Sequence, residues 1–127
     1  MKRYSLHDLP LGKRHILSGL LPGEYLVSGG LGFKGSGHRS HDVGCQCGSC
    51  DGKGRHVHQN DSEVFIILQG KARMEVDGKF HDLVAGDVVI CEPGEDHHLV
   101  SDMKDPCVNI YLHAGNQPHP KQQVKEQ

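Results

Sequence analysis

Residues Ala72-Arg73-Met74-Glu75-Val76 alternate apolar and charged side chains one for one. That is the period of a strand with one face in a core and the other in water. Asp77-Gly78 follows, a pair that suits the two positive φ angles of a type I′ hairpin turn, and Lys79-Phe80-His81-Asp82-Leu83 returns. The same grammar runs through the second half of the chain. Arg55–His58 reads as a short strand, Gln59–Ser62 as a turn, and Glu63–Gln69, with its apolar block VFIIL, as a buried strand closed by Gly70. Ala85-Gly86-Asp87 turns into a strand at Val88–Cys91, and Glu92–Asp96 turns into another at His97–Ser101. Asp105-Pro106 precedes a last strand, Cys107–His113. Upstream, Glu24–Ser28 is a short strand, and Ser5–Pro10 an edge strand or a loop. No window repeats apolar residues at helical spacing for three turns. About eight short antiparallel strands imply an all-β barrel or jelly roll.

Three stretches stand apart from this pattern. Residues 1–23 form an arm of mixed composition, residues 24–113 the barrel, and residues 114–127 a polar, flexible tail. Inside the barrel segment, residues 29–54 make a glycine-rich loop with three cysteines and two histidines, too poor in apolar side chains to build core, although its first third is able to continue a strand. At 127 residues the chain is one domain. Its net charge of −2 offers no basic surface for nucleic acid or anionic lipid. No apolar run is long enough to span a membrane, and the first residues, MKRYSLHDLPLGKRHILSGLLPG, lack the apolar centre of a signal peptide. The expectation is a cytoplasmic protein whose five cysteines are thiols or metal ligands.

Eleven histidines is a high count for this length. His56 and His58 share a face by strand parity, with Val57 opposite. Glu63 has the wrong parity for one continuous strand, but a turn at 59–62 resets the register and brings it to the same interior. Phe65 and Ile67 then wall that interior. His97 opens the strand after the Pro93-Gly94 turn, and His98 next to it faces outward. Three imidazoles and a carboxylate suit one divalent transition metal, Fe, Mn, Ni, Co, Cu or Zn. His81, His113 and His119 take no role from their positions.

These residues resemble the first cupin motif, G-x5-H-x-H-x3–4-E-x6-G, through His56, His58, Glu63 and Gly70. GDVVICEPGEDH resembles the second, G-x5-P-x-G-x2-H-x3-N, through Gly86, Gly94 and His97. The resemblance covers roughly residues 24–113 and keeps all four metal-ligand slots. Three other slots depart: Cys50 for the leading glycine, Glu92 for proline (Pro93 stands one residue late) and Ser101 for asparagine. The resemblance implies a cupin-type double-stranded β-helix, a homodimer formed through sheet edges, and a metal centre with open positions for a small-molecule ligand or substrate. Cupins with this ligand set include dioxygenases, isomerases, decarboxylases and lyases. The expected function is therefore a metal-dependent enzyme acting on a small oxygenated or aromatic molecule. Its alternative is a non-catalytic module that binds or senses metal or a small ligand; the lack of a helix-turn-helix segment counts against direct gene regulation.

Cys45, Cys47 and Cys50 form C-x-C-x2-C, with His38 and His41 just upstream. Three thiolates and one histidine, His41 or His38, make a tetrahedral zinc set, a second metal site beside the first. Two other readings stay open: a redox pair at Cys47 and Cys50, and an inert flexible loop. Cys91 and Cys107 lie in strands as small buried hydrophobes.

Overall fold

The computed structural model describes residues 1–8, 25–42, 44, 53–57 and 60–116. His58, Cys45, Cys47, Cys50 and most of the C-terminal tail lie outside these residues. Eight strands run through the described chain: β1 (Lys2–Ser5), β2 (Tyr25–Phe33), β3 (Asp61–Gln69), β4 (Lys71–Val76), β5 (Lys79–Val84), β6 (Asp87–Cys91), β7 (His97–Ser101) and β8 (Val108–Gly115). They form a five-stranded antiparallel sheet, β1-β6-β3-β8-β2, and a three-stranded one, β5-β4-β7. This is the expected all-β, two-sheet jelly roll. No helix among the described residues is long and apolar enough to cross a membrane.

The core lies between the sheets, where Phe65, Ile67, Met74, Leu83, Val89 and Leu99 pack together. Strand β3 sits in the middle of its sheet and is apolar on both faces. Phe65 and Ile67 point into the barrel, while Val64 joins Val88, Ile90 and Ala114 in a second cluster on the back. Burial on both sides is why VFIIL runs unbroken where β4 alternates.

Several boundaries differ from the sequence reading. Strand β2 runs past Ser28 to Phe33, into the first third of the glycine-rich stretch, as the sequence allowed. The glycines permit this: the Tyr111 ring lies across Gly30, within 3.0–3.2 Å of where a Cβ would sit. In place of a strand at Arg55–His58, only His56 is bridge-paired among the described residues there, its carbonyl accepting the His97 N–H at 3.1 Å. Strand β3 starts at Asp61, two residues earlier than expected. Residues 2–5 of the N-terminal arm pair with β6 at the sheet edge.

Asp77 and Gly78 have φ of 48° and 82°, the two positive angles of the expected type I′ turn. A Cβ at Gly78 would touch nothing, so a substitution there tests backbone strain alone. Gly78→Val is expected to lower unfolding free energy by about 1–3 kcal/mol. Urea denaturation measures it, and an unchanged midpoint would contradict the turn assignment.

Candidate metal centre

Glu63 lies on the inner face of β3, opposite Cys91 of β6 and His113 of β8. His97 enters from the first position of β7, and His56 is tied to it through the backbone bond at His97 N–H. The Glu63 Oε1 atom stands 2.8 Å from His97 Nε2 and 3.5 Å from His56 Nε2. One ligand atom from each of the three residues falls within 4.8 Å of the other two, and all three side chains are buried.

Hydrogen bonding around the cluster bears on what it can hold. His97 Nδ1 donates to the Glu95 carbonyl at 3.1 Å, which can only accept. With Nδ1 donating, Nε2 is the ring atom that faces Glu63 Oε1. A ring nitrogen and a carboxylate oxygen 2.8 Å apart in a buried site are held together by a shared proton or by a cation between them. Two imidazoles and a carboxylate converging in a buried site are a fit for a divalent transition cation.

Further groups surround these three. Phe65 sets its ring edge-on to His97, with centroids 6.0 Å apart. His41 stacks on His56, ring centroids 3.6 Å apart and planes 1° from parallel. Burial first, then the neighbouring His56, pushes His41 down to about 3, so its ring is neutral at ordinary pH. On the far side, His113 Nδ1 meets Asp61 Oδ2 at 3.1 Å, and His113 Nε2 faces Glu63 Oε2 at 3.8 Å. Burial and then the Glu63 charge push the Cys91 thiol up, which makes it a poor nucleophile. Burial likewise raises Cys107.

Of the residues singled out in the sequence, His56, Glu63 and His97 come together, whereas His58 lies outside the described residues. So do Cys45, Cys47 and Cys50. His41, considered above with those cysteines, has its ring against the barrel cluster. Asp61 and His113 gave no signal strong enough to place them, although Asp61 shares the parity of Glu63. His98 faces out of the barrel as expected, yet it is 0 % exposed.

Comparison with known proteins agrees with this fold. A family model described as a cupin domain matches residues 48–113. A cupin protein from Bacteroides fragilis superposes with a TM-score of 0.58 at 19% identity, over 90% of this chain and 76% of that one. A sugar phosphate isomerase of the cupin superfamily from Silicibacter pomeroyi gives 0.56 at 19% identity, over 72% of this chain and 52% of that one. In sequence, 53 residues are 38% identical to the uncharacterized HTH-type transcriptional regulator YdiP of Escherichia coli (strain K12), covering 42% of this chain and 18% of the regulator. The chain thus spans under a fifth of that relative's length. With the family model matching more than half of its residues, and with two antiparallel sheets around a His/Glu cluster, this chain belongs to the cupin family.

Proposed function

We propose that this chain is a metal-dependent cupin enzyme acting on a small oxygenated or aromatic molecule, by dioxygenase, isomerase or lyase chemistry. The observation that carries the reading is the buried His56, Glu63 and His97 cluster, whose ligand atoms converge within 4.8 Å of one another. His58 completes the ligand set by its motif slot. A divalent transition metal bound there would act as a Lewis acid on an enol, diol or carboxylate. The chain's own part is to hold Glu63 and His97 on strands β3 and β7 with His56 bridged beside them, and Phe65 and Ile67 form the apolar wall behind. A sugar phosphate isomerase among the structural neighbours is consistent with a small oxygenated substrate. In this reading the protein works in the cytoplasm as a homodimer, with exposed edges such as β5 covered by the partner.

The second reading is a binding or sensing module. It is favoured by the match to a transcriptional regulator, of which the aligned region forms 18%. A zinc ion on Cys45, Cys47 and Cys50 with His41 or His38 would suit that role, as a metal-responsive loop beside the barrel.

Elemental analysis of protein purified anaerobically, without added metal, separates these readings. One equivalent of iron, manganese or nickel per chain is expected for the enzyme. A second equivalent, of zinc, would add the cysteine site. Protein that holds no transition metal even after dialysis against each candidate ion would overturn the metal centre.

A further inference from the structure

His41 is one of two non-glycine residues with positive φ among the described residues, at 52°. The other, Asp77, is explained by its hairpin turn. Left-handed backbone at a histidine costs free energy and persists only where its surroundings enforce it. The enforcement here is specific. Ser40 donates its backbone N–H to the Leu99 carbonyl at 2.9 Å, and its Oγ accepts the Leu99 N–H at 2.7 Å. On the flank, Arg39 pairs with Glu75 and with Asp42.

The fully buried His98 links this segment to the metal cluster. Its Nδ1 meets the Ser40 carbonyl at 2.8 Å, and its Nε2 meets Asp96 Oδ1 at 2.9 Å. That same Asp96 oxygen accepts the backbone N–H of His56 at 2.7 Å. One buried imidazole thus holds the residue before His41 on one side and the amide of His56 on the other. The two stacked rings are the ends of this bracket.

We propose that His41 is a positioning residue for the metal ligand His56, locked in register by the bracket of Ser40, His98 and Asp96. A metal-bound imidazole must be held in one ring plane if its lone pair is to aim at the ion. A parallel ring at 3.6 Å holds that plane from the face. The inference rests on the metal centre proposed above, and it assigns His41 to the barrel cluster.

The test uses cobalt(II), whose visible d–d bands report ligand geometry, on the full-length chain with chelator competition for affinity. His41→Ala is expected to weaken cobalt binding by about 10–100-fold, the range for outer partners of metal ligands, and to shift the bands. His41→Phe keeps a flat ring without donor atoms, and is expected to recover most of the affinity and the wild-type bands. His98→Asn is expected to shift the bands in the same direction by loosening the bracket. Melting of the metal-free variants is recorded alongside, because a loss of fold alone lowers melting without altering the bands of the protein that does bind. Wild-type affinity and bands in His41→Ala would overturn the proposal. So would His41→Phe binding as weakly as His41→Ala, which would make His41 a ligand. Wild-type bands in His98→Asn would remove the bracket. Wild-type protein that binds no cobalt would overturn the metal centre itself, a result distinguishable from all of these.

Discussion

Glu63→Gln is expected to abolish the stabilisation that metal gives this protein while leaving the metal-free form at least as stable. The two effects have opposite signs for one reason. Glu63 is 4% exposed, and a buried carboxylate is costly unless positive charge accompanies it. Without metal, the variant removes that cost and keeps an isosteric amide between His56 and His97. With metal, it removes the only carboxylate of the His56, Glu63 and His97 group. The loss in affinity should exceed the roughly 10–100-fold typical of outer partners, because a charged ligand atom itself is lost. An ion present at about 100 times its dissociation constant stabilises the folded state by about 2.7 kcal/mol. For a domain of this size that is on the order of 10 °C in melting temperature. Calorimetry of both proteins, with chelator and with metal, gives four melting temperatures. An equal rise in the two proteins on adding metal would remove Glu63 from the centre.

Much of this site could be read along the chain because its signals are local. Alternation in Ala72–Val76, the Asp77-Gly78 turn, the spacing of His56 to Glu63 and the Pro93-Gly94 turn before His97 each act within a few residues. Features made by distant pairing could not be read. His113 reaches Glu63 only because β8 lies beside β3 in one register, and nothing local sets that register. The same holds for Lys2–Ser5, which join the sheet through β6 across most of the chain's length. His98 shows a subtler limit. Parity places it on the outer face of the three-stranded sheet, and outer faces usually meet water. Here Ser40 covers it, so an outward residue becomes a buried one. Strand β2 was legible only as an option at the start of the glycine-rich stretch: composition did not show that Asn109, Tyr111 and Leu112 of β8 occupy the space where side chains at Gly29, Gly30 and Gly32 would stand.

Gly70 closes the first motif, and the structure supplies a physical reason for the glycine. It sits at the corner where β3 leaves one sheet and β4 enters the other, with φ of 78°. A Cβ there would run into the Pro106 carbonyl and stand 2.8 Å from that of Asp105. Those atoms cannot swing aside as a side chain does. The adjacent Lys71 N–H donates to the Asp105 carbonyl at 2.9 Å, and the Asp102 N–H to the Lys71 carbonyl at 3.0 Å. Gly70→Ala therefore combines left-handed strain of about 1–2 kcal/mol with an overpacking cost of about 1–3 kcal/mol. Gly86→Ala is the matched control. Its φ is 94°, but its Cβ would meet only the His7 ring, at 3.2 Å, on an exposed side chain free to move. Strain alone should then cost Gly86→Ala about 1–2 kcal/mol. Urea unfolding of both variants measures the difference, and Gly70→Ala is expected to lose more by the overpacking cost. Equal losses would show that the 105–106 turn yields, and that Gly70 is required for its dihedral angle alone.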